Sequence, residues 1–163
     1  SLDWRDIPTS RAVDTLAVDM GFPELGVATL VSIGNPHAVF FVENADSVDL
    51  HHWGPLAEKH ALFSDRANIE FIQVLDRQSI RMRVWERGAG VTLACGSGAC
   101  AAAVASACRG LTDNKVTLRL DGGALNIFWR RDTDGHVVMT GPTTYVAEGV
   151  ISASFFHDPE VLA

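Results

Sequence analysis

The 163-residue chain is 47% hydrophobic and 20% charged, and 13 basic against 20 acidic side chains give it a formal net charge of −7. A chain of this size buries roughly two thirds of its unfolded surface and needs no disulfide or metal to build a core, so the figures fit one globular domain or half of a larger enzyme. The acidic balance argues against nucleic acid as a partner, since phosphate recognition calls for a basic face. The longest apolar runs, Val27 to Ile33 and Ala99 to Ala107, fall far short of the roughly 20 residues of a membrane span, so no membrane partner is expected.

In chain order, the first 22 residues are mixed, with Pro8 and Gly21 breaking any period, and predict a lead-in segment with one strand around Ala12 to Met20. β-branched and aromatic residues predict buried strands over Val27 to Ile33 and Ala38 to Val42, joined by the turn Gly34-Asn35-Pro36. Ser47 is placed to cap a helix from Val48 to Leu62, with Leu50, Trp53, Leu56 and Ala57 along one face. Asn68 to Leu75 and Ser79 to Trp85 read as a hairpin about Asp76-Arg77-Gln78. In its second strand Ile80, Met82 and Val84 alternate with Arg81, Arg83 and Trp85, giving one buried and one wet face.

Gly88, Gly90, Gly96 and Gly98 then crowd a loop before the small-residue run Ala99 to Ala107, a helix apolar all round and therefore buried all round. Strands follow over Lys115 to Leu120, Leu125 to Arg130, Val137 to Thr140 and Tyr145 to Ile151. The expected fold is α+β: a mixed, mostly antiparallel sheet wrapped around a central buried helix, with a second helix outside.

Chemistry concentrates in Trp85-Glu86-Arg87-Gly88-Ala89-Gly90 and Ala94-Cys95-Gly96-Ser97-Gly98. Cys95 stands at the mouth of the buried helix, where unpaired N–H groups and the partial positive charge of the helix end stabilise a thiolate and attract a carboxylate. Four glycines in eleven residues and the adjacent Glu86 and Arg87 exceed what a mere turn needs. Glu86 and Arg87 are neighbours, and side chains alternate on a strand, so either the chain bends after them or only one side chain enters the site. Cys100 and Cys108 lie further along the helix and read as core packing. Gly34-Asn35-Pro36-His37 offers an amide and an imidazole, and Asn68 opens the strand Ile69-Glu70-Phe71-Ile72. His51, His52, His60, His136 and His157 read as surface groups, and no cysteine or histidine spacing suggests a metal. Three cysteines, an odd count, fit a reducing cytoplasm.

Gly34-Asn35-Pro36-His37, Asn68-Ile69-Glu70-Phe71 and the Glu86 to Ala99 stretch, in that order, with the closing Gly141-Pro142 and Tyr145-Val146-Ala147-Glu148-Gly149, resemble the C-terminal half of the diaminopimelate epimerase family. The resemblance implies a cofactor-independent isomerase of two pseudo-symmetric halves that interconverts L,L- and meso-diaminopimelate in lysine and peptidoglycan precursor biosynthesis. It implies that Cys95 is the catalytic thiol of this half, that Glu86 tunes its proton affinity, and that His37 pairs with the cysteine of the other half. Asn35, Asn68, Glu86 and Arg87 are implied to hold the distal amino-acid end of the substrate, and Gly96 and Ser97 the reacting carboxylate. No cofactor and no metal are implied.

Two opposed bases are needed to invert a carbon, and one suitable cysteine is present. With Ser1 in place of an initiating methionine, the chain is expected to be a fragment: a linker over 1–22, a C-terminal epimerase domain over 23–163, and a partner N-terminal domain not included. Such a fragment is expected to fold without catalysing, and the surface it leaves uncovered to favour self-association as a homodimer. The rival readings are a proline or hydroxyproline racemase of the same fold, a thiol hydrolase using Cys95 and His37, and a non-catalytic binding module.

Overall fold

In a computed structural model, residues 1–152 are described. The architecture is organised about one helix, α2 (Gly96–Cys108), whose residues from Gly98 to Ala107 are all buried. Its side chains are glycine, serine, cysteine, alanine and a single valine, so strands can approach its backbone from many directions. Around it runs a sheet of nine strands among the described residues: β1 (Val18–Asp19), β2 (Val27–Ser32), β3 (Pro36–Phe41), β4 (Asn68–Asp76), β5 (Ser79–Glu86), β6 (Gly90–Thr92), β7 (Lys115–Leu120), β8 (Gly123–Trp129) and β9 (Val137–Thr140). The order is β1-β2-β3-β4-β5-β7-β8-β9, with β6 paired to β5. Two junctions are parallel, β3 with β4 and β5 with β7, and the others are antiparallel. This is the expected α+β arrangement, and α2 packs against every strand from β2 to β9 except β6.

The sheet separates two cores. On the α2 side lie Val31, Val39, Ile72, Ile80, Met82, Val84, Leu118 and Ile127. On the outer side, Leu30, Phe40, Ile69 and Phe71 meet a second helix, α1 (Leu50–Glu58), through Leu50 and Ala57. Successive strand residues point to opposite faces. The polar residues His37, Glu70 and Glu86 therefore share the α2 face with Val39, Ile72 and Val84.

Several local expectations are corrected. The strand expected over Ala12 to Met20 reduces to Val18–Asp19, because the chain turns at Asp14 to Ala17, where the Ala17 N–H donates to the Asp14 carbonyl. The outer helix is capped by Asp49, not Ser47: the Asp49 carboxylate accepts from the His52 N–H at 3.1 Å, while Ser47 closes a preceding 3₁₀ turn over Ala45–Ser47. That helix ends at Glu58, since the Leu62 carbonyl is taken by Ser10 and the Leu62 N–H by the His60 ring. Leu56 is correspondingly exposed, and Gly54 and Glu58 take its expected place on the buried face. His60 is half-buried, its ring edge-on to Phe22.

No strand forms over Tyr145 to Ile151, which pair with no strand among the described residues. Tyr145, Val146 and Val150 are each more than three-quarters exposed. Leu2 packs against the α2-side core, while the rest of the first 22 residues bury Ile7, Val18 and Met20 in the outer core. His157 lies outside the described residues.

Candidate active site

Cys95 is the N-cap of α2, and its sulfur accepts from the Gly98 N–H at 3.4 Å. The N–H groups of Gly96 and Ser97, in the first turn, have no intrahelical carbonyl to donate to, as at any helix start. A sulfur and two backbone donors thus converge at one helix mouth. The Ser97 hydroxyl stands 3.6 Å from the sulfur and accepts from the Asn35 amide at 3.3 Å. Asn35 Oδ1 in turn faces His37 Nε2 at 3.0 Å, and His37 Nδ1 faces Glu70 Oε1 at 2.7 Å. The last two side chains are completely buried.

The resting thiol ionises at higher pH than a free cysteine. Burial is the largest cause; hydrogen bonds from Ser97 and Gly98 oppose it, and the nearby carboxyl groups of Glu70 and Glu86 reinforce it. This reverses the expectation drawn from the helix end alone, because removing the sulfur from water outweighs the donors at the helix mouth. Cys100 and Cys108 are pushed up by burial as well. Both pack against the core beneath the sheet, as expected.

Glu86 ends β5, and Arg87 opens the turn after it with its side chain directed elsewhere. Glu86 accepts from the Thr92 hydroxyl across the β5–β6 hairpin. Arg87 turns its guanidinium to Asp65, 2.6 Å from the carboxylate and 2.9 Å from the carbonyl, and gives only its backbone N–H toward the site, to Asn68 Oδ1 at 2.9 Å. Asn68 is buried and also donates to the Pro36 carbonyl at 3.1 Å, tying β4 to the turn that carries Asn35. Gly88 and Gly90 take positive φ values of 78° and 82°, which lets the chain reverse within four residues of Glu86.

From outside the sheet, buried Glu58 of α1 accepts from the Trp85 indole N–H at 2.8 Å and the Gly88 N–H at 3.0 Å. The same carboxylate pairs with Arg66 at 3.3 Å.

Of the residues singled out in the sequence, Asn35, His37, Asn68, Glu86, Cys95, Gly96 and Ser97 therefore fall at the start of α2 and the adjoining ends of β3, β4 and β5, whereas Arg87 brings only its backbone N–H there. Glu70, Thr92, Glu58 and Asp65 were missed. Glu70 had a signal: a carboxylate in the apolar run Ile69-Glu70-Phe71-Ile72, two residues from Asn68 and hence on its face. Among the described residues no group of three histidine, cysteine or acidic side chains could hold a metal, and no helix is long and apolar enough to cross a membrane.

A cysteine capping a buried small-residue helix, flanked by two carboxyl groups and a buried histidine inside a wrapped sheet, defines a thiol-centred site of the α+β class. The family model described as diaminopimelate epimerase matches residues 29–146. The chain belongs to the diaminopimelate epimerase family. It is 55% identical to the diaminopimelate epimerase of Rhodospirillum centenum over 93% of its own length and 51% of that protein's. With the Gluconobacter oxydans enzyme of the same name it shares 51% identity over 91% of this chain and 54% of the relative. The chain thus spans about half the length of the curated relatives it matches. Among solved structures it is similar to a Bacillus anthracis phenazine biosynthesis protein of the PhzF family, with 23% identity and a TM-score of 0.47 over 73% of this chain and 36% of that one.

Proposed function

We infer that this chain is the C-terminal epimerase domain of a diaminopimelate epimerase and supplies one of its two proton-transfer centres, with Cys95 as the group that exchanges a proton with the substrate α-carbon. The observation that carries the reading is the placement of the Cys95 sulfur beside the first N–H groups of α2. A reacting carboxylate seated on the Gly96 and Ser97 N–H groups would put its α-carbon against the sulfur. Those same donors would stabilise the negative charge that spreads into the carboxylate when the α-proton leaves.

In one direction the Cys95 thiolate takes the α-proton, the C–H electron pair moves into the carboxylate, and a thiol on the opposite face delivers a proton to carbon. In the other direction Cys95, held as a neutral thiol by its burial, is the donor. Each thiol ends in the protonation state the other began in, so no external oxidant or cofactor is consumed.

The distal amino-acid end of the substrate falls to Asn35, Asn68, Glu86 and Arg87. The Arg87 guanidinium is turned to Asp65, whose side chain is largely exposed, so holding a ligand carboxylate calls for it to leave that partner and swing toward the site, where a bidentate pair would add specificity. The role of His37 toward a thiol of the other half calls for Asn35 to release Nε2, since both ring nitrogens are engaged within this chain. That engagement also argues against the thiol hydrolase, which needs His37 on Cys95. The partner half, the small-molecule substrate, cytoplasmic residence and a homodimer through uncovered apolar surface belong to the same proposal.

Two measurements test it: L,L-to-meso conversion and exchange of the α-proton with deuterated water, in a protein carrying both halves. Cys95→Ala should abolish both, and the 163-residue chain alone should show neither. Turnover surviving Cys95→Ala, or full turnover by the chain alone, would overturn the reading.

A further inference from the structure

Glu70 has no part in the proton transfer just described, yet it costs the fold a desolvated carboxyl group in a buried pair with His37. Glu70 Oε2 is buried without a hydrogen-bond partner, and the carboxyl group's one ion-pair partner among the described residues is His37. An isolated carboxylate in such a place is strongly disfavoured.

Hydrogen-bond accounting then restricts the arrangement. Asn35 Oδ1 can only accept, so where it faces His37 Nε2 that nitrogen carries hydrogen. A second proton lies on the 2.7 Å contact between Nδ1 and Glu70 Oε1. The pair is then neutral overall, whichever of the two atoms holds that proton. Turning the Asn35 amide over would make Nε2 a bare acceptor and leave Glu70 either a lone buried anion or protonated on Oε2, a buried donor with no acceptor, so the pair selects the first orientation.

With Asn35 held that way, its Nδ2 donates to the Ser97 oxygen. The serine, having accepted, is left with its own proton to give, and the acceptor beside it is the Cys95 sulfur at 3.6 Å. We propose that Glu70 is a positioning residue at the head of a one-directional hydrogen-bond chain, from His37 through Asn35 and Ser97, that aims a hydroxyl proton at the sulfur of Cys95. The inference builds on the reading of Cys95 as a proton-transfer group and adds the device that readies its thiolate. The groups facing Cys95 are Glu70 from β4 and Glu86 from β5, which disfavour the thiolate, and Ser97 and Gly98 of α2, which favour it.

The test has two arms, neither of which depends on turnover. Nitrogen NMR of histidine-labelled wild-type chain should show hydrogen on His37 Nε2 at neutral pH. A bare Nε2 with hydrogen on Nδ1 alone would overturn the proposal. The second arm follows the pH at which Cys95 becomes alkylated by iodoacetamide, identified by peptide mass. Ser97→Ala should move that onset upward by about one pH unit, or about tenfold in thiolate at a fixed pH, and Glu70→Leu should lie above Glu70→Gln by a similar amount. Both variants lose the carboxyl group that disfavours the thiolate, but Glu70→Gln can still donate to Nδ1 and keep the chain's direction, so its onset should not rise above wild type.

An unchanged onset in Ser97→Ala, or a Glu70→Gln that behaves like Glu70→Leu, would overturn it. Should Glu70→Leu fail to fold, the wild-type spectrum and Ser97→Ala still decide. If Cys95 proved unnecessary for α-proton exchange, the reading beneath would fall while these thiol measurements stood.

Discussion

Gly98 sets up a contest between two effects of known size. A methyl group added there would lie 2.8 Å from Glu70 Oε1, 3.2 Å from Cys95 Sγ and 3.3 Å from Glu70 Cγ. Helix propensity alone would make Gly98→Ala stabilising by up to about 1 kcal/mol. Overpacking a tight core costs about 1–3 kcal/mol, and here the carboxyl end that would have to yield is fully buried and bonded to His37. The clash should win, with a net loss of about 1–2 kcal/mol, which at an m value of about 2 kcal/mol/M lowers the urea midpoint by about 0.5–1 M. Urea unfolding of the chain, followed by far-UV circular dichroism, reads this directly. A double-mutant cycle with Glu70→Ala adds a sharper check, since truncating Glu70 makes room for the methyl group and the two changes should couple favourably by about 1 kcal/mol. A raised midpoint for Gly98→Ala, or additivity in the cycle, would refute the packing argument.

The remaining predictions concern the supports of the site and its thiols. Glu58→Ala leaves the Trp85 indole N–H and the Gly88 N–H without their acceptor and should cost about 2–3 kcal/mol in urea unfolding, with Glu58→Gln recovering part of the loss. Asn68→Ala breaks the link between the Pro36 carbonyl and the Arg87 N–H and should cost about 1–3 kcal/mol, together with faster amide exchange at Arg87.

Burial pushes the Cys95, Cys100 and Cys108 thiols upward. The unfolded chain therefore releases those protons first as pH rises past the ordinary thiol value of about 8.5, and stability should fall above it. The slope of stability against pH in that range should flatten in Cys100→Ala, and a slope identical to wild type would contradict it.

The strands were legible because β-branched and aromatic residues cluster in them, and α2 because a run without charge has nowhere to go but the core. β6 was not: three residues held by a hairpin about Gly88 and Gly90 carry no periodicity of their own. The outer helix was overextended because Leu56 fits its apolar stripe by spacing, while the bonds that end the helix, to Ser10 and within His60 to Leu62, come from sequence-distant or local polar contacts that spacing does not register. At the site, the conflict between the neighbouring Glu86 and Arg87 could be posed from alternation alone, but its resolution needed Asp65, 22 positions away in sequence. Glu70 was overlooked for a related reason. A single acid among Ile69, Phe71 and Ile72 has meaning only once β3 lies parallel to β4 and brings His37 beside it.

The composition of α2 has a further consequence for precision. Alanine and glycine have no side-chain rotamers to lose, so burying this helix costs very little side-chain entropy for the contact it makes. The same lack of rotamers removes the usual means by which a core absorbs error. A leucine-lined helix can shift and let its side chains re-settle, whereas α2 touches the surrounding strands almost backbone to backbone. Its axis is therefore fixed by the sheet itself, and the sulfur at its tip inherits the sheet's rigidity.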